Sequence, residues 1–155
     1  MVRRALIRVR WAAIGCCLVT SGCAHQREST APPFKPVTTV VELMESVIAH
    51  AAEVYWESVQ ITVDETGEHD RSPQTDEEWE SVWAAALTIA ESGNLLMMPP
   101  RALDDGAWMQ FARSLIEAGV EAAAAAQAHD TERVFAAGEQ VYNACLGCHT
   151  RYIPQ

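Results

Sequence analysis

Four stretches of the 155-residue chain repeat their apolar residues at helical spacing, and this periodicity constrains the fold more than any other feature. The first stretch covers 38–62, and its regularly spaced apolar residues are Val40, Met44, Val47, Ile48, Ala51 and Tyr55. Residues three and four apart share one face of a helix, so each stretch predicts an amphipathic helix with one buried face.

Local start and stop signals separate the four stretches. The second is predicted to begin at Thr75, which forms a capping box with Glu78, and to end at 92–94, the sequence Ser-Gly-Asn. The third is predicted to begin at Asp104 or Asp105, and Asp130 is a suitable cap for the fourth.

The rest of the pattern predicts no strands. No stretch alternates with the period of a strand, and the acidic segment between the first two helices is predicted to be a loop. Short connections favour antiparallel neighbours, which predicts an all-α, up-down-up-down four-helix bundle over 38–155.

The N-terminus reads as a targeting segment, with basic residues followed by a short apolar run. The run, 11–19, is too short to cross a bilayer as a helix. "LVTSGC" resembles a bacterial lipobox, which makes 1–23 a signal region with Cys23 as the lipidated residue. Cleavage by an ordinary signal peptidase after Ala24 is the alternative. The polar, proline-containing segment 24–37 is then a flexible tether, and the protein is expected in the bacterial periplasm, anchored as a lipoprotein.

The charge balance is strongly acidic, with a formal net charge of −10. Four of the eleven basic residues lie within the first ten positions, so removal of the signal region would make the domain still more acidic. Such a surface repels nucleic acids and anionic lipid headgroups. It suits a partner protein with a basic docking face.

One motif carries recognisable chemistry, Cys145-Leu-Gly-Cys148-His149 near the end of the fourth helix. A close cysteine pair in an exported protein is compatible with a disulfide, a redox dithiol, half of a zinc site or a haem anchor. A disulfide would give no role to the adjacent His149. A thioredoxin-like dithiol normally follows a strand, and none is predicted here. A zinc site would need further ligands, and no second Cys/His pair has the spacing to supply them. The spacing i, i+3, i+4 puts all three side chains on one helix face. It therefore predicts one covalent haem c, with Cys145 and Cys148 as thioether attachments and His149 as the proximal iron ligand.

The position of this motif resembles that of the class II c-type cytochromes, the cytochrome c prime family with its low-spin, methionine-ligated branch. The resemblance is carried by "CLGCHTRY" on the last helix and "VELM" on the first, and it extends over 37–155. Too little chain follows the motif to enclose a haem, so the preceding helices are expected to build the pocket. The family implies a four-helix bundle with the haem attached to the last helix.

The same resemblance implies that the distal side of the iron faces the first helix, where Met44 occupies the corresponding position. A methionine there gives a six-coordinate, low-spin iron, whereas a non-ligating residue leaves the iron open to small gases. Met44 as a core filler is the alternative, and Met97 and Met98 are rival ligands. Family members often carry a basic residue one turn before the distal position, where this chain has Val40.

Without that basic residue, the haem propionates need another partner. Arg151, next to the motif, is the nearest candidate in the sequence, and Arg101 is a second one.

Taken together, these features predict an exported mono-haem c-type cytochrome that carries one electron at a time. Catalysis by the chain alone is not expected, because the sequence shows no catalytic triad, paired acid and base carboxylates or phosphate loop. Two other functions stay open: a five-coordinate protein that binds nitric oxide or carbon monoxide, and a small haem subunit of a redox complex. The expected partner is a redox protein with a basic face, and a homodimer is possible by analogy with the family.

Overall fold

The computed structural model describes residues 34–153. Within them the chain is mostly helical, with four helices and one two-stranded sheet, as expected for a helical bundle. The predicted signal region 1–23 with Cys23, and the tether up to residue 33, lie outside the described residues. No helix within 34–153 has the length and apolar composition required to cross a membrane.

Helix α1 covers residues 40–57 and contains an irregular turn. Its three parts are Val40–Leu43, the π-helical Met44–Ile48, and Ala49–Glu57. Thr39 caps the first turn, because its hydroxyl accepts from the Glu42 amide at 3.2 Å while the Glu42 carboxylate accepts from the Thr39 amide at 2.8 Å. In the π-helical turn the Ala49 amide donates to the carbonyl of Met44, five residues back. This extra residue changes which side chains after Met44 share its face.

A β-hairpin follows α1 and corrects two predictions. Strands β1 (Ile61–Asp64) and β2 (Gly67–Asp70) pair antiparallel, with Ile61 opposite Asp70. The first helix therefore ends before 62, and the acidic segment is not simply a loop. Three consecutive β-branched residues, 61–63, favour extended backbone, and Gly67 has a φ of 131° that suits glycine at the end of the turn.

Helix α2 (Asp76–Met97) begins as predicted but ends later. Thr75 and Glu78 form the capping box that the sequence indicated. The predicted end at 92–94 is wrong, because the helix continues through Gly93. That glycine is buried against α3, and a Cβ atom on it would lie 2.6 Å from the carbonyl oxygen of Ala112. Gly93 therefore allows α2 and α3 to pack closely and does not end the helix. Pro99 is the residue that prevents α2 from extending further.

The last two helices are α3 (Ala107–Gln127) and α4 (Thr131–Tyr152). Helix α3 begins two to three residues after the predicted start, although Asp104 still caps it by accepting from the amides of Gly106 and Trp108. The predicted cap of α4 is confirmed, since the Asp130 carboxylate accepts from the Arg133 amide at 3.0 Å.

Packing between the helices is uneven and leaves room beside α4. The most extensive contacts join α2 to α3, and the next join α3 to α4, whereas α1 and α4 contact each other only sparsely. Tyr55 lies at that sparse junction, fully buried, and its hydroxyl donates to the carbonyl of Val134 at 3.1 Å. The alanine run of α3 is buried as a helix seam through Ala122, Ala123, Ala125 and Ala126. Beyond Tyr55 the gap between α1 and α4 becomes a cleft.

Candidate functional site

The cleft between α1 and α4 brings together the residues that the motif and the resemblance selected. It has a volume of about 450 Å³. Cys145, Cys148 and His149 line it from α4, and Met44 lines it from α1. These positions are about a hundred residues apart in sequence, so their meeting is a tertiary feature of the fold.

The remaining wall of the cleft is almost entirely apolar. Glu45 is the acidic residue in the lining, and the others are Ile48, Ala49, Ala52, Trp56, Leu96, Trp108, Phe111, Ala112, Leu115, Tyr142, Ala144 and Leu146. Pockets with a largely apolar lining and a few placed polar groups suit a drug-sized or cofactor-sized organic molecule. The size and lining of the cleft therefore fit a porphyrin, whose faces are apolar and whose metal needs few ligands.

The two cysteines are half-buried free thiols on one side of the cleft, with no disulfide between them. Burial raises the pKa of the Cys145 thiol above its usual value. Burial also raises the pKa of Cys148, with a further contribution from Cys145 nearby. Both sulfurs are therefore protonated at neutral pH. Within 34–153, no group of three or more His, Cys, Asp or Glu side chains is arranged to hold a metal ion.

Gly147, between the two cysteines, allows α3 to approach the motif. A Cβ atom at this position would lie 2.9 Å from Cε1 of Phe111. Phe111 itself lines the cleft, so the absence of a side chain at 147 lets an aromatic ring pack directly beneath the motif.

The last turn of α4 is anchored to the start of α3 by Tyr152. Its hydroxyl donates to the Asp104 carboxylate, whose other oxygen caps α3. The Tyr152 ring also meets Trp108 edge-on, with ring centroids 5.1 Å apart, and Phe111 at 6.4 Å. Because both aromatic partners line the cleft, Tyr152 links the turn that carries His149 to the cleft wall.

Tyr152→Phe is expected to raise the pKa of Asp104 toward its ordinary value. The hydrogen bond from Tyr152 is the largest of the influences that lower that pKa in the folded protein. A carboxyl with a depressed pKa stabilises the fold above its unfolded pKa, and that stabilisation is lost as the pH falls through the folded value. The variant should thus lose less stability on acidification. The Asp104 carboxyl is titrated by NMR, with Tyr142→Phe as the control, and an unchanged Asp104 pKa in Tyr152→Phe would contradict this role.

The two arginines considered for the propionates lie in different surroundings. The exposed guanidinium of Arg151 lies over the Tyr152 ring, 5.6 Å from its centroid, and is not among the residues that line the cleft. Arg101 is buried, and its guanidinium donates to the Thr38 carbonyl and hydroxyl and to the Leu95 carbonyl. Arg101 therefore ties the start of α1 to the end of α2, whereas the role of Arg151 stays a prediction.

The other methionines and histidines of the described residues do not line the cleft. Met97 and Met109 are half-buried and pack against the core. Among the histidines, His50 is exposed, His69 hydrogen-bonds Asp64, and His129 stacks on Trp79 with ring centroids 4.8 Å apart. Of the methionines considered as ligands, Met44 is the one that faces the cysteine pair across the cleft.

Two tryptophans, Trp56 and Trp108, contribute to the cleft wall. Trp108 is buried, and its indole donates to the Leu96 carbonyl at 2.8 Å. Trp56 donates to the Gly138 carbonyl at 3.0 Å and spans the gap between α1 and α4. In a regular helix Trp56 would lie about 120° around the axis from Met44, so regular periodicity gave no signal that both line one cleft.

In comparisons with known proteins, no protein-family model, no curated protein and no solved structure matched the chain.

Proposed function

We propose that this chain is an exported mono-haem c-type cytochrome that carries single electrons. The supporting observation is the apolar cleft that Cys145, Cys148 and His149 line from one helix and Met44 lines from another. The motif supplies the attachment chemistry, and the cleft supplies a space of suitable size and polarity. The function follows from this combination, because a cysteine pair alone also suits a disulfide, and an apolar cleft alone suits many organic ligands.

For the fold we propose an up-down-up-down four-helix bundle with the haem attached to α4, as in the class II cytochromes. Sequential helices pack most closely on their neighbours, and the link from α3 to α4 consists of the three residues 128–130. So short a link favours an antiparallel pair. The hairpin between α1 and α2 is an insertion in the first connection of such a bundle.

Each residue of the site then has a defined role. Cys145 and Cys148 would each add their S–H across a vinyl group of the haem, and His149 would bind the iron from α4. Met44 would supply a thioether from the opposite wall, which favours the reduced iron and raises the reduction potential. The bound haem supplies a reversible one-electron couple. The apolar wall excludes water, and Tyr152 with Asp104 holds the turn that carries His149.

The cellular context is proposed from the sequence. The signal region with Cys23 would place the protein in the bacterial periplasm as a lipoprotein, with 24–37 as its tether. A redox protein with a basic face would be its partner. If Arg151 turns from Tyr152 toward the cleft, it would neutralise a propionate.

Covalent attachment is tested by expressing the exported chain with a haem c maturation system. The intact mass of the wild-type protein is expected to include one haem that survives denaturation, whereas the Cys145→Ser, Cys148→Ser double variant should lose it. A Thr150→Ser variant, next to the motif and exposed, is the matched control and should keep the haem. A wild-type protein that matures without added haem mass would overturn the proposed function.

A further inference from the structure

A second groove lies beside the cleft, on the surface between α1 and α4, and has a volume of about 380 Å³. We call it the aromatic groove. Its walls are formed by Tyr55, Trp56, Val59, Val134, Phe135, Gly138, Glu139 and Tyr142. Trp56 and Tyr142 line both the aromatic groove and the cleft, so the two spaces share a wall.

Three aromatic side chains of this groove are exposed. Phe135 is 71% exposed, Tyr142 53% and Trp56 37%. Exposed large apolar residues that occur singly are ordinary on protein surfaces, but contiguous ones mark interaction sites. Trp56 is held in place by its hydrogen bond to Gly138 and by edge-on contact with Tyr142, at a centroid distance of 6.3 Å. Rigid aromatic side chains of this kind lose little conformational entropy on binding a partner.

The charge around the aromatic groove is mainly negative, and the nearby Arg133 is already paired with Glu121. Glu139 lines the groove from α4, and the end of α1 that forms the other wall contains Glu53 and Glu57 without lysine or arginine. Both glutamates of that wall flank the groove tryptophan on the exposed side of α1. Within 34–153, neither Glu139 nor these two glutamates of α1 form an ion pair.

We propose that the aromatic groove is the docking surface for a redox partner protein whose face has an apolar centre ringed by lysine and arginine. This inference rests on the proposed electron-carrier function. The exposed aromatic side chains would fill the apolar centre, and the glutamates would steer the encounter and oppose the basic ring. Because Trp56 and Tyr142 also line the cleft, a partner seated here would lie against the wall of the haem site.

The negative charge of the aromatic groove favours a basic partner protein over a second copy of the chain. Two copies that met through the groove would bring their carboxylates together, which is unfavourable. The acidic hairpin is a weaker docking candidate, because residues 61–70 carry negative charge without Phe, Tyr or Trp. The core of a protein interface is typically aromatic and its rim polar.

The test measures electron transfer from the reduced holoprotein to a cationic blue-copper protein by stopped flow at low ionic strength. Copper absorption in the visible distinguishes the two proteins. Phe135→Ser and Glu139→Lys are each expected to lower the second-order rate constant about tenfold, and Glu139→Lys should also flatten its dependence on salt. The matched controls are Val120→Ser, an exposed apolar residue of α3, and Glu68→Lys on the hairpin, both expected within about twofold of wild type.

Rates that are equal in Phe135→Ser and Val120→Ser, or a larger effect of Glu68→Lys than of Glu139→Lys, would overturn the docking surface. A wild-type dimer in sedimentation that Phe135→Ser dissociates would assign the groove to a second copy and also overturn it. The absorption spectrum of the wild-type protein, recorded before mixing, shows whether a negative result concerns the docking surface or the proposed cytochrome function. Absence of covalent haem in the wild-type protein would refute both the cytochrome function and the docking surface. A normal haem spectrum with rate constants that Phe135→Ser and Glu139→Lys leave unchanged would refute the docking surface alone.

Discussion

The Met44→Ala holoprotein is expected to bind carbon monoxide in its ferrous state, whereas the wild-type holoprotein is not. Met44 lines the cleft opposite Cys145, Cys148 and His149, and alanine has no donor atom to replace its thioether. The iron would then keep His149 as its protein ligand and become high-spin. Loss of the thioether should also lower the reduction potential by on the order of 100 mV, within the roughly 0.8 V range that axial ligands control. Absorption spectra and a redox titration measure both effects.

Met97→Ala and Met109→Ala are the matched controls for this substitution. Both methionines are half-buried and pack on the core, but neither lines the cleft. Each control should lose a similar amount of packing while keeping a low-spin spectrum and indifference to carbon monoxide. If Met97→Ala binds the gas and Met44→Ala does not, the assignment of the distal ligand is wrong.

Gly119→Ala is expected to destabilise the protein by about 1 kcal/mol, although alanine is the better helix former. A Cβ atom at 119 would lie 2.6 Å from the backbone nitrogen of Ala90 and 2.8 Å from its Cα, where α2 and α3 pack most extensively. Backbone atoms cannot move aside as a flexible side chain can, so the helices must separate. Overpacking typically costs about 1–3 kcal/mol, and the higher helix propensity of alanine recovers about 1 kcal/mol.

Urea unfolding of the holoprotein, followed by circular dichroism, gives the sign of this effect. Val120→Ala, at the exposed neighbouring position, should change the free energy of unfolding by less than about 0.5 kcal/mol. A stabilisation by Gly119→Ala would mean that helix propensity dominates and that the close crossing of α2 and α3 is misplaced.

The starts of the helices are predictable from the sequence where a local hydrogen bond defines them. The capping box of Thr75 with Glu78 and the cap at Asp130 depend on residues close in sequence, and both predictions are confirmed. The end of α2 was misplaced because Gly93 resembles a helix stop but serves the contact with α3. The hairpin was not predictable because its two strands are only four residues each and fully exposed. Residues 61–64 of β1 alternate apolar and polar side chains, but they directly follow the helical pattern of α1, and β2 contains no apolar residue to extend the alternation.

The residues of the candidate site also differ in how far the sequence alone could predict their positions. The spacing of Cys145, Cys148 and His149 is local, so their common face was predictable from the sequence. The position of Met44 opposite them depends on how α1 packs, and the sequence reached it only through a family resemblance. The roles of Trp56 and Trp108 in the cleft wall could not be inferred, because tryptophan at helical spacing is equally typical of a buried core.

The π-helical turn at Met44–Ile48 shows a further limit of periodicity. One added residue in this turn shifts the phase of everything that follows it in α1 by about 100° relative to a regular helix. Met44, Ile48, Ala49 and Ala52 all line the cleft as a result. Such π-helical turns are frequent at functional sites, and no residue type in a sequence predicts where they occur.

The absorption spectrum of the ferrous wild-type protein, matured with haem c and recorded before and after carbon monoxide, tests the central claim most directly. An electron carrier with Met44 and His149 on the iron should give a low-spin spectrum that the gas leaves unchanged. A high-spin spectrum that shifts on addition of carbon monoxide would contradict the six-coordinate site and favour a gas-binding protein. A spectrum without covalently bound haem would contradict the cytochrome itself.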